Sequence, residues 1–68
     1  MMQEEELSAK EVKILQLLAD GKTARDAAQE LHLTDGTIRQ YAIRIREKTG
    51  SPTTMNAMAT ALRRGLID

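Results

Sequence analysis

The chain has 68 residues, ten basic and ten acidic side chains, no cysteine, no Phe, no Trp and a single Tyr. That length makes one domain with a small core. The composition excludes disulfides and thiolate zinc sites, and one histidine cannot make a metal site by itself.

No apolar run approaches the roughly 20 residues that a membrane span needs. Residues 1–6 (MMQEEE) read as a flexible, acidic, solvated tail rather than a signal peptide, so cytoplasmic residence is expected. Residues 7–68 read as the folded domain.

The first helix pattern opens at Ser8. Glu11 stands three residues on, which is capping-box spacing. Ile14, Leu15, Leu17 and Leu18 form its apolar face, and Asp20-Gly21 stops it. A short second helix follows Thr23 as cap, with Asp26 in its first turn, and runs to Leu31. His32 lies in the turn after it and reads as a partly exposed turn residue, with a pH switch as the alternative. The third helix is capped by Thr34 and runs to about Thr49, ending at Gly50. The fourth follows Pro52 with Thr53 as cap and ends at Gly65. No stretch alternates with period two, and all connections are short. The expected fold is therefore all-α, a compact four-helix bundle. Its second and third helices have the layout of a helix-turn-helix, whose second helix lies in the DNA major groove.

Charge is polarised along the chain. Residues 1–35 hold four Lys/Arg against eight Asp/Glu, and residues 36–68 hold six against two. A domain with one basic face attracts phosphate at short range, because screening removes the rest within about 8 Å. The third helix carries Arg39, Gln40, Arg44, Arg46 and Lys48, with acids only at Asp35 and Glu47. At 100° per residue, Ile38, Ala42, Ile45 and Thr49 fall on one side, with Tyr41 at its edge. Gly36, Gln40, Ile43 and Glu47 fall opposite, flanked by Arg39 and Arg44. Arg can bind guanine O6 and N7, and Gln can bind adenine N6 and N7. Ile43 suits a thymine methyl, or burial against the fourth helix or a second subunit. Thr23, Arg25 and Thr37 stand near helix starts, where free N–H groups bind phosphate.

These residues, with LSAKEVKILQLLADGKT before them and ALRRGLI after, resemble the LuxR/GerE-type DNA-binding domain. That module forms the C-terminal half of NarL-type response regulators and of quorum-sensing regulators, and also occurs alone. The resemblance covers roughly residues 7 to 67. It is carried by Leu7, Ser8, Glu11, Ile14-Leu15, Leu17-Leu18, Gly21, Ala28, Leu31, Thr37, Ile38, Lys48, Gly50 and Gly65-Leu66-Ile67. It implies base-reading positions at Arg39, Gln40 and Ile43. It implies phosphate contacts at Thr23, Arg25, Thr37 and Arg44.

The resemblance further implies a weak homodimer through the fourth helix. Met55, Met58, Ala59 and Leu62 supply an Ala/Met surface suited to a two-fold contact. Ala27 and Thr49 stand where larger aliphatics are usual, which implies light packing there. The expected partner is double-stranded DNA, with an upstream receiver or sensor domain and RNA polymerase as further partners, no membrane and no cofactor. No nucleophile–base pair, metal cluster or phosphate loop suggests an enzyme. The competing reading is a helical protein-interaction module that binds RNA polymerase or another regulator without touching DNA.

Overall fold

Hydroxyl side chains set all four helix starts. In a computed structural model describing residues 6–68, the helices are α1 (Ala9–Ala19), α2 (Ala24–Glu30), α3 (Asp35–Thr49) and α4 (Thr54–Arg63). Residues 1–5 of the expected acidic tail lie outside the described residues. Ser8, Thr23, Thr34 and Thr53 are the N-caps, each side chain accepting the N–H three residues on. Ser8 with Glu11 and Thr23 with Asp26 complete reciprocal capping boxes. The Thr23 N–H and hydroxyl hold the exposed Asp26 carboxyl below its ordinary range.

All four helix ends close in one way. A residue with positive φ follows the last turn, and the next N–H returns to a carbonyl five residues back. These bonds run from Lys22 to Leu17, Leu33 to Ala28, Ser51 to Arg46 and Leu66 to Ala61, at 2.8–3.0 Å. Three of the positive-φ positions are glycine, but after α2 it is His32, with φ 59°. A β-carbon in that conformation costs about 1–2 kcal/mol, although histidine tolerates it better than most residues. His32 is exposed and forms no part of the core. His32→Gly is therefore expected to raise the melting temperature by about 3–6 °C. Thermal denaturation followed by circular dichroism checks this, and an unchanged or lower midpoint refutes it.

The core is aliphatic, as the composition requires. Ile14, Leu15 and Leu17 from α1 meet Ala27 and Ala28 of α2, Ile38 and Ile45 of α3, Ala57 and Ala61 of α4, and Ile67. Alanines on α2 and α4 allow close helix approach. α2 packs chiefly on α3, α3 on α4, and α1 touches both α2 and α4. The Gln16 amide donates to the Asp68 carbonyl at 2.8 Å and accepts its N–H at 3.0 Å, which holds the last residues against α1. No helix among the described residues is long and apolar enough to cross a membrane.

Ala27 and Thr49, where light packing is expected, are both buried. Ala27 is fully enclosed, and Thr49 is 4 % exposed. The Thr49 hydroxyl donates to the Ile45 carbonyl at 2.8 Å and shares a hydrogen bond with Ser51 at 2.8 Å. Open volume lies in a groove of about 320 Å³ that Ala24 and Ala42 help to line and in one of about 390 Å³ beside Thr49.

One buried ion pair joins distant parts of the chain. Glu11 is 1 % exposed, and its Oε1 accepts both the Ser8 N–H at 2.8 Å and the Lys48 ammonium at 2.9 Å. This ties the start of α1 to the end of α3. Burial pushes the Glu11 carboxyl up. The Ser8 N–H, the Lys48 ammonium and the Ser8 hydroxyl together outweigh that and hold it below its ordinary range.

Candidate nucleic-acid interface

The open face of the domain is built at the junction of α2 and α3. Thr34 caps α3 by accepting the Thr37 N–H at 3.1 Å, and it donates its own hydrogen to Thr37 Oγ1 at 2.9 Å. Thr37 thus accepts from inside the fold and keeps its hydroxyl hydrogen for an outside acceptor. Thr23 is exposed at the start of α2. Its oxygen accepts the Asp26 N–H at 3.0 Å, and its hydroxyl is also engaged with the Asp26 carboxyl.

Arg25 and Arg39 come from different helices and line the same groove, together with Asp35. Ile14, Leu18, Ile38 and Ile45 help to line the same groove, and its lining is mainly apolar. The Arg25 Nε stands 3.9 Å from Asp35 Oδ2, with side chains 76 % and 54 % exposed. At that exposure the pair adds little to stability. Arg39, Gln40 and Arg44 are exposed along α3. The Arg44 guanidinium sits 5.4 Å from the centre of the Tyr41 ring, a cation–π contact that restrains it on the helix surface.

Ile43 is 44 % exposed. Burial against α4 within the same chain is thereby ruled out, and an apolar side chain stands on the solvent side of a basic helix.

Two of the five polar residues first counted on the third helix work inside the fold. Lys48 is bound to Glu11, and Arg46 Nη1 donates to Thr54 Oγ1 at 3.3 Å. The basic outer surface of α3 therefore consists of Arg39 and Arg44, reinforced by Arg25 from α2. Sequence reasoning missed Asp35 as a member of this surface. Its position became informative only when α2 brought Arg25 beside it.

On α4, Met55, Ala59 and Leu62 are exposed at spacings of four and three residues, hence on one side of the helix. Met55 is 73 % and Leu62 50 % exposed. Met58 differs, because it is partly buried and packs against the core. It contributes to holding α4 on the domain.

The comparisons with known proteins agree with this geometry. The family model described as "Bacterial regulatory proteins, luxR family" matches residues 5–61. The uncharacterized transcriptional regulatory protein YvfU of Bacillus subtilis is 37 % identical over 67 residues, which is 98 % of this chain and 34 % of that protein. The transcriptional regulatory protein DesR of Bacillus subtilis is 36 % identical over 59 residues, 87 % of this chain and 30 % of that protein. The chain thus spans about a third of the length of these relatives. Among solved structures, the transcription factor GerE superposes with a TM-score of 0.87 at 26 % identity, covering 91 % of this chain and 92 % of GerE. VqmA of Vibrio cholerae, solved as a ligand–DNA complex, gives 0.82 at 29 % identity over 91 % of this chain and 27 % of VqmA. With its helix-turn-helix, its polarised outer surface and these matches, the chain belongs to the luxR family of bacterial regulatory proteins and is a DNA-binding domain of that family.

Proposed function

We propose that the domain binds duplex DNA sequence-specifically, with α3 in the major groove, as a dimer on paired half-sites. Arg39, Gln40 and Ile43 read base edges, while Thr23, Arg25, Thr37 and Arg44 hold phosphate. The observation that carries this reading is that Arg25 of α2 and Arg39 of α3 line one groove, whose walls also include Ile14 and Leu18 of α1 and Thr54 of α4. Phosphate and base readers must share one face, and two exposed arginines lining one groove support that placement. The VqmA structure contains DNA, which supports the same partner here.

Salt dependence tests the reading. Each phosphate neutralised contributes about −0.9 to the slope of log affinity against log salt. Binding to a selected duplex should therefore weaken steeply as salt rises. A flat salt response would favour the alternative, a helical module that binds RNA polymerase or another regulator through apolar contacts. The exposed Ile43 and the net neutrality of the chain are what support that alternative.

The dimer forms through the outer side of α4, with Met55, Ala59 and Leu62 as the contact and Met58 holding the helix from behind. A small interface leaves little surplus over the cost of association, so the pairing is weak without DNA. Ala59→Glu places a charge in that contact and touches no core residue. It should lower affinity for paired sites at least about tenfold and leave half-site affinity and melting temperature unchanged. Sedimentation on both DNA lengths checks this, and equal paired-site occupancy would refute it. Met58→Glu is the poorer probe, because it would also disturb the core. In a longer protein, an upstream receiver or sensor domain would control this pairing. RNA polymerase is the further partner expected at a promoter.

A further inference from the structure

We infer that Asp35 is a specificity-determining residue, selecting a cytosine amino group at one position of the half-site. This rests on the reading that α3 enters the major groove. Asp35 is the first residue of α3 and precedes Arg39 by one helical turn, so the two share a side of the helix. Both line the groove that also holds Arg25. Its carboxylate is not needed to cap α3, because the Thr34 hydroxyl does that. Its ion pair adds little, since Arg25 is 3.9 Å away and both side chains are largely in water, and as an acid in the first turn of α3 it adds only a modest, solvent-screened stabilisation.

The neighbouring position strengthens the case. Gly36 lies within α3, where glycine is unfavourable. A β-carbon there would meet only Thr34 Oγ1, at an ordinary 3.9 Å. Nothing in the domain requires that glycine. A first turn without side-chain bulk lets the helix start, and Asp35 with it, come close to the bases.

The chemistry then follows from charge. Free in solution, Asp35 faces the Arg25 guanidinium. On DNA, Arg25 is drawn to phosphate, and the carboxylate is left in a desolvated groove beside like charges. An ionised carboxylate only accepts hydrogen bonds, so it needs a donor there. The cytosine N4 amino group is the donor that Asp characteristically takes in the major groove. Guanine and thymine offer no hydrogen-bond donor at their major-groove edges and are rejected by repulsion, and adenine sets its N6 donor beside the N7 acceptor, which repels the carboxylate that cytosine N4 satisfies. Asp35 thus acts mainly against wrong sequences, since a site without the amino group leaves the charge unsatisfied.

The experiment is selection from a randomised duplex pool by the 68-residue chain and by its Asp35→Ala, Asp35→Asn and Arg39→Ala variants. The parent should favour cytosine at one position by about tenfold. Asp35→Ala should lose that preference and no other, and should bind random duplex more tightly. Asp35→Asn, which can both donate and accept, should shift the same position toward adenine. A merely structural role would move the melting temperature and leave the selected base unchanged. If Arg39→Ala alters the selected sequence while both Asp35 variants select the parent sequence, this inference fails and reading by α3 stands. If none of the variants alters it, both fail.

Discussion

Replacing Lys48 by methionine is expected to lower the melting temperature by about 12–24 °C. Methionine keeps much of the lysine stem, so packing is largely retained and the lost element is the charge. Glu11 is then left 1 % exposed with the Ser8 N–H and no cation. Breaking one side of a buried pair costs about 3–5 kcal/mol. The Lys48 side chain is 21 % exposed, so the lower end, about 3 kcal/mol, applies here. A domain of 68 residues has only about 3–10 kcal/mol in total.

Adding Glu11→Gln removes the stranded charge and leaves an oxygen to accept from Ser8. The double variant should therefore recover most of the loss. If Lys48→Met melts within about 2 °C of the parent, the pair is not a structural tie.

The same pair fixes the acid side of the stability profile. Glu11 has a lowered pKa in the folded state, so its contribution is complete above the ordinary carboxylate range, about 4.3. It is lost as pH falls through the lower folded value. In Lys48→Met the burial effect acts with one opposing cation fewer, and the carboxyl moves up. The variant's deficit should therefore shrink as acid protonates Glu11. A deficit that stays constant from pH 7 to pH 3 would show that the ammonium's charge is immaterial.

Replacing Arg39 by alanine is expected to cost about 1–3 kcal/mol on the best site and to relax preference at one base position. Arg39 is exposed, and among the described residues no hydrogen bond or ion pair explains its presence on α3. Two neighbours should behave differently. Ile43→Ala should cost less, and mainly where the site carries a thymine methyl. Arg25→Ala should weaken all sequences alike and flatten the salt slope by about one contact. The Asp35 contact at 3.9 Å restrains Arg25 too weakly to change that expectation. Binding of each variant to a randomised pool at two salt concentrations separates the two classes. An Arg39→Ala variant with unchanged affinity and selected sequence would remove α3 as the reader.

Most of the architecture is local and therefore legible in the chain. Ser8, Thr23, Thr34 and Thr53 announce helix starts because a short hydroxyl side chain reaches the N–H three residues on. Gly21, Gly50 and Gly65 announce ends because they adopt positive φ freely. The apolar stripe of α3 follows from the helical period, and Ile38, Ile45 and Thr49 are buried as it requires. His32 shows where that reading stops. Its backbone conformation is imposed by the return of Leu33 to Ala28, and no glycine marks it.

What only the tertiary structure decided concerns pairs far apart in sequence. Glu11 reads as a capping residue, and it is one, but folding also brings it to Lys48 across 37 positions. That removes Lys48 from the outer surface, as Thr54 does for Arg46. Met58 and Met55 look alike in the sequence, yet one packs on the core and the other stays in solvent. Helical period gives directions around one helix, whereas burial depends on which neighbour covers each direction. The sequence alone therefore determined the helices, their caps and the helix-turn-helix, and the packing of α3 on α4 together with the Glu11–Lys48 tie decided which charges remain outside for a partner.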